Sequence, residues 1–201
     1  MISNYQELQD AVATWIDRTD LTTTIPDFIS LAEARFIRKI RHWKMEKSDT
    51  LTTVGGTAAV DLPADYLEMR SLTLDVQPSR SLELLPPAIN YNGQSSTGLP
   101  SGYTIQDGKI RLHPVPDGAY DLIVGYYAFI PLSAVNDENW LLTDYPDVYL
   151  YGSLLQAEGF VMNDKRLGVW KGALDEALGE LRKDASSARW NGSPLIIRGQ
   201  H

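Results

Sequence analysis

The chain has 201 residues, 43% of them hydrophobic, enough to bury one substantial core or a core plus a smaller sheet, and too apolar for general disorder. A formal charge of −8 argues against tight nucleic-acid binding, which needs clustered Lys and Arg to neutralise phosphates. Cysteine is absent, which excludes a disulfide framework and thiolate metal ligation.

The acidity is uneven. Residues 51–140 hold 10 acids against 4 Lys/Arg, so this segment carries −6 of the −8 and has a surface character of its own. No basic stretch followed by an apolar one opens the chain, and no apolar run approaches the length of a membrane span. The expectation is a soluble, unprocessed protein without a membrane partner.

In chain order, Ser3 and Gln6 have the spacing of a capping box, and Tyr5, Leu8, Val12, Trp15 and Ile16 follow at helical intervals, predicting a helix from about Asn4 to Asp17. Thr24-Ile25-Pro26 supplies a cap and an early proline for a second helix. Its stripe of Phe28, Leu31, Ala32, Phe36 and Ile40 continues to about Trp43. From Ser48 the period changes to β-branched residues around Gly55-Gly56, which reads as a hairpin turn. Strands are expected at Met69–Val76, Ser81–Leu85, Gly102–Gln106, Lys109–His113 and Tyr120–Phe129, with Asp107-Gly108 as a two-residue hairpin. Residues 86–100, rich in Pro, Asn, Gly and Ser, predict a short helix and an exposed loop.

A further helix is expected to start at Pro146, capped by Asp144, with Val148, Tyr151, Gly152, Leu155 and Gly159 on one face. The last helix should begin near Asp164 and bury Leu167, Trp170, Leu174, Ala177, Leu178 and Leu181. Asn191-Gly192-Ser193-Pro194 then breaks the helix before an apolar Leu195-Ile196-Ile197-Arg198 run that asks for a partner. Each helix has one apolar stripe to cover. The expected fold is therefore α+β: N- and C-terminal helices form a four-helix bundle with an inserted antiparallel β-rich platform. The boundaries are helices at 1–45, platform at 46–138, helices at 139–190 and a docking tail at 191–201.

Chemistry is poorly supported. His42, His113 and His201 lack metal-ligand spacing, and no glycine pattern matches a phosphate loop, a dinucleotide fingerprint or a nucleophile elbow. Carboxylate pairs Asp144/Asp147 and Asp175/Glu176 are better explained by capping and by a solvated helix face than by acid–base work. No enzyme, cofactor or metal site is expected. One basic run stands out: Arg35, Arg38, Lys39, Arg41, Lys44 and Lys47. It reads as a helix C-terminus that favours cations, or as electrostatic docking to an acidic partner or contact with passing phosphates. The tryptophans read as core, except that Trp190, just before the breaking tail, reads as an interface anchor. The candidate partner interface is Arg35, Arg38, Lys39 and Arg41 with Trp190, Pro194, Leu195, Ile196, Ile197 and Arg198.

Several runs carry a family resemblance. They are Tyr5-x-Glu7-Leu8 with Trp15-Ile16-x-Arg18-Thr19-Asp20-Leu21, Ile25-Pro26-Asp27-Phe28-Ile29-x-Leu31-Ala32-Glu33, and Leu62-Pro63-x-Asp65-Tyr66-Leu67-Glu68-x-Arg70. With Trp140-Leu141-Leu142, Pro146-Asp147-x-Tyr149-Leu150-Tyr151-Gly152 and the Trp190–Pro194 tail, the chain resembles the head-to-tail adaptors of tailed bacteriophages, in particular the tail tubular protein A group. The resemblance implies a homo-oligomeric ring of twelve copies in the virion, made in the host cytoplasm. It implies a ring bound to the portal protein above and the tail nozzle below, with double-stranded DNA passing through without sequence-specific binding. The alternative from the residues is a non-catalytic module that recognises a peptide or glycan through aromatic strand residues Tyr126, Tyr127 and Phe129. Exposed aromatics would favour the module, and buried ones the adaptor.

Overall fold

The computed structural model describes residues 2–18, 20–86, 96–161 and 164–190, and it shows a mixed α+β chain with five α-helices and two four-stranded sheets. The helix and loop expected at 86–100 fall largely outside the described residues, as does the tail. The chain divides into two compact units, Met1–Lys44 with Ile130–His201, and Met45–Phe129.

In the first unit, α1 (Tyr5–Ile16) is capped by Asn4, whose side chain accepts from the Glu7 amide at 2.9 Å. Glu7 reaches back, accepting the Ser3 amide and hydroxyl at 2.8 Å each. The cap is therefore Asn4, one residue later than the expected Ser3, and Glu7 rather than Gln6 reaches back, bonding Ser3 just outside the cap instead of closing a strict capping box. Helix α2 (Ile25–Lys39) ends four residues short of Trp43: Ile40 is extended, and a single 3-10 turn follows at Trp43–Met45. Helix α3 (Trp140–Asp144) is capped by Asn139, and α4 (Pro146–Val161) follows after one residue. Asp144 thus closes α3 rather than capping α4. Its expected role is replaced by an ion pair with Lys44 at 2.6 Å.

Helix α4 is the element on which α1, α2, α3 and α5 (Asp164–Trp190) all pack. Its burial is correspondingly broad: Val148, Tyr149, Leu150, Ser153, Leu154 and Ala157 are all buried, so the single stripe expected from the sequence is too narrow. Of that stripe, Gly159 is exposed and Leu155 half-buried. Helix α5 buries Leu174, Ala177, Leu178 and Leu181 as expected, and exposes Lys171, Asp175, Glu176, Glu180, Arg182 and Lys183. Leu167 and Trp170 are half-buried. Trp15 is 43% exposed, yet it lies against Trp170 and Tyr151, with ring centroids at 5.4 and 6.2 Å.

The second unit contains β1 (Glu46–Thr52), β2 (Ala59–Asp61), β3 (Tyr66–Asp75), β4 (Arg80–Ser81), β5 (Glu83–Leu84), β6 (Gly102–Gln106), β7 (Lys109–His113) and β8 (Asp121–Ala128). One sheet has the order β1-β8-β3-β4 and the other β2-β7-β6-β5. The Gly55-Gly56 turn is thus not a hairpin. It carries the chain from one sheet to the other, since β1 pairs with β8 and β2 with β7. Glycine suits this turn: Gly56 has φ +79°, and a Cβ on Gly55 would stand 3.2 Å from the Asp117 carbonyl oxygen. The ladders are antiparallel except for β5 with β6, which is parallel, so the platform is not purely antiparallel as expected. One strand expected at Ser81–Leu85 is two, because Leu82 turns inward between β4 and β5 and the chain changes sheets there. Leu72, Leu74, Leu82, Tyr103, Ile110, Leu112, Leu122 and Val124 form a single core drawn from both sheets.

The Asp107-Gly108 hairpin joins β6 to β7 as the sequence predicts, with both residues at positive φ, 54° and 69°. Gly108→Val should cost about 1–3 kcal/mol, since a β-branched residue is strained there. A urea midpoint equal to the parent protein's would refute this.

Candidate functional site

Among the described residues no group of His, Asp and Glu could hold a metal ion. His42 is fully buried and its ring is stacked 4.9 Å from Trp140. Its Nε2 stands 3.1 Å from Asp184 Oδ2, and its Nδ1 accepts the Lys44 backbone amide at 3.2 Å. The same Asp184 oxygen accepts the Tyr145 hydroxyl at 3.0 Å. This looks like part of a relay, but the nitrogen that would activate a nucleophile is occupied by backbone. The cluster works instead as a clamp, holding the last turns of α5 to the α2–α3 region of its unit. The hydrogen bond from His42, then that from Tyr145, holds the Asp184 carboxyl below the usual range, while burial and then Asp184 push Tyr145 up to about 12. No local sequence pattern links His42 with Asp184, so sequence reasoning missed the clamp.

A second buried polar hub sits at Glu33, which is 4% exposed. Its Oε1 accepts the Leu132 amide and the Tyr149 hydroxyl, both at 2.8 Å. Asn139 donates to the Tyr149 oxygen at 2.7 Å and to the Ile130 carbonyl at 3.1 Å while capping α3. Residues 130–139 are thereby laced to the helices. The Tyr5 amide adds a bond to the Asp137 carbonyl at 2.7 Å. The hub fixes structure.

The expected basic interface is only partly a surface. Arg41 donates to the Ile37 and Ile40 carbonyls at 2.7 Å and so caps the C-terminus of α2. Lys44 is paired with Asp144, and Lys47 lies in the other unit, paired with Asp65 at 2.6 Å. That leaves Arg35, Arg38 and Lys39 exposed on α2. Trp190 closes α5, with its side chain outside the described atoms, and Pro194, Leu195, Ile196, Ile197 and Arg198 lie beyond them. Asp175 and Glu176 are exposed on α5, as a solvated face requires.

The structure adds a feature that periodicity alone did not show: an open groove of about 600 Å³ between α2, α4 and α5. Its floor includes Phe28, Phe36, Leu155, Leu174 and Leu178. Arg35, Lys39, Lys171 and Asp175 stand on its rim. Leu31 and Phe160 both border it, at 54% and 59% exposure. Leu31 was expected in the core stripe. It faces outward because the buried face of α2 runs through Ile25, Phe28, Ile29, Ala32, Glu33 and Phe36. The aromatic strand face fails as a recognition surface: Tyr126, Tyr127 and Phe129 are all at least 93% buried. Tyr126 instead donates to Asp65 at 2.9 Å, and burial, then that bond, pushes it up to about 12.

A two-unit α+β protein whose His42 and Glu33 clusters tie its own elements together, and which exposes an apolar groove and a basic helix face, has the make-up of an assembly component. Residues 3–198 match the SU10 adaptor protein family, and the chain belongs to that family. Membership makes it a structural adaptor of a bacteriophage and implies a structural rather than a catalytic role, in the virion. Among curated proteins no match to the chain was found. No helix among the described residues is long and apolar enough to cross a membrane.

Proposed function

We propose that the protein is a head-to-tail adaptor that assembles as a ring of twelve copies between portal and tail nozzle, with the genome passing through the ring. The observation that carries this reading is the family match over nearly the whole chain. The helical unit, taken as a four-helix bundle of α1, α2, α4 and α5, supplies the contacts between copies and with the portal. The Met45–Phe129 unit has 10 acids against 5 Lys/Arg, which suits a surface past which DNA slides without sticking. Arg35, Arg38 and Lys39 supply electrostatic docking, and the tail from Pro194 to Arg198 supplies an apolar anchor.

Mixing the purified chain with a portal protein tests this by native mass and particle imaging. The expected result is a portal complex with twelve added copies and a ring-shaped projection. Replacing Arg35, Arg38 and Lys39 together by Gln should weaken attachment at least about tenfold at low salt and much less at high salt. Single changes should matter little, since exposed pairs contribute under about 1 kcal/mol. Attachment indifferent to both the triple change and salt would reject the docking role. A chain that never joins a portal would reject the adaptor reading.

A further inference from the structure

We propose that the groove between α2, α4 and α5 is the receptor for the C-terminal segment of a second copy of this chain. Leu195, Ile196 and Ile197 fill its apolar floor, and Arg198 meets Asp175 at the rim. The proposal rests on the reading that copies of the chain assemble with one another.

Two requirements meet in this chain. The groove leaves Leu31 and Phe160 more than half exposed, and covering such apolar surface is favourable. Beyond α5 the chain carries an apolar triplet behind a helix-breaking Asn-Gly-Ser-Pro, followed at once by Arg198, and among the cations Arg35, Lys39 and Lys171 on the groove's rim Asp175 is the acid that can take it. Reach decides which copy supplies the segment. Trp190 lies twelve residues beyond Leu178, about 18 Å along the helix axis, and about 35 Å beyond Leu167 at the far end of the groove. Leu195 comes five residues after Trp190, and five fully extended residues span at most about 18 Å. A chain folding back on its own helix would use all of that length to bring Leu195 to the near lip, with none left for the reversal, so it cannot lay the whole triplet along the floor. A neighbouring copy has no such limit.

A labelled peptide of residues 191–201, titrated into the full-length protein held below its own association concentration, tests this by fluorescence anisotropy. Saturable binding is expected, at least tenfold weaker for Leu31→Glu and again for Phe160→Glu. These two exposed positions should leave the melting temperature nearly unchanged. A peptide with Ser at 195, 196 and 197 should not bind, and Asp175→Asn should cost a few-fold that high salt erases. No saturation, or binding untouched by both Glu variants, overturns the proposal. Because the chain has no cysteine, Ile196→Cys with Phe160→Cys gives a clean covalent report. Links between copies support the second-copy receptor, and an intramolecular link at high dilution overturns it. If added portal protein shields a Leu31→Cys thiol while the peptide fails to bind, the occupant is the portal and the proposal falls. The peptide assay contains no portal, so its failure and failure of portal attachment are separate results.

Discussion

Gly152→Val is expected to destabilise the protein by about 3 kcal/mol, and Gly152→Ala by less, although both replace a glycine inside a helix. A Cβ at position 152 would lie 2.5 Å from Phe36 Cζ, 3.0 Å from Phe36 Cε1 and 3.4 Å from Ala32 Cβ. Phe36 is held on its other side: it is 2% exposed and packs edge-on against Tyr149 at 5.4 Å. Any side chain therefore pushes α2 and α4 apart. For Ala, the helix preference returns about 1 kcal/mol against an overpacking cost of about 1–3 kcal/mol, leaving a small net loss. Val recovers less preference and adds two methyl groups to the clash. Gly172 on α5 is the control, because nothing lies within 4 Å of its would-be Cβ. Gly172→Ala should stabilise by up to about 1 kcal/mol. Phe36→Leu should relieve Gly152→Ala, so urea midpoints of the double variant should show coupling of about 0.5–3 kcal/mol. Strict additivity, or equal effects at positions 152 and 172, would place the two helices further apart than described.

What could be read from the sequence was what local chemistry decides. Asp107-Gly108 gave its hairpin because positive φ at both positions is a property of two adjacent residues. The strands at Gly102–Gln106 and Lys109–His113 have the expected bounds. Gly55-Gly56 shows the boundary of such reasoning. Two glycines announce a turn, but which strands flank it depends on β8, some 70 residues away, to which β1 pairs. Pro146 does start a helix, but Asp144 does not cap it, because Asn139 already opens α3 and the break falls at Tyr145. The buried hub had a signal that went unread. Ile25, Phe28, Ile29, Ala32 and Phe36 place Glu33 within their own stripe, and an acid inside an apolar stripe asks for buried donors. The groove had no such signal, since an exposed Leu31 on a helix is ordinary until the fold brings Phe160 to the same groove.

Glu33→Ala is expected to lower stability at neutral pH by about 3 kcal/mol relative to Glu33→Gln, because it strands two buried donors, the Leu132 amide and the Tyr149 hydroxyl, at about 1–3 kcal/mol each. Gln keeps an oxygen for both donors and removes the charge. Burial raises the Glu33 carboxyl above its ordinary value, against the lowering by Leu132 and Tyr149. The folded state therefore holds this proton more tightly than the unfolded chain does. The stability this contributes is fully present below the unfolded pKa, about 4.3, and is lost as pH rises through the higher folded value. Asp184 and Asp65 have lowered values and give the opposite slope, but they are common to both proteins and cancel in the difference. Melting temperatures of Glu33→Gln and the parent protein should thus diverge in favour of the Gln variant as pH rises from about 4 toward 7. If that difference stays constant across the range while Glu33→Ala matches Glu33→Gln, the carboxyl is neither desolvated nor holding residues 130–139 to the helices.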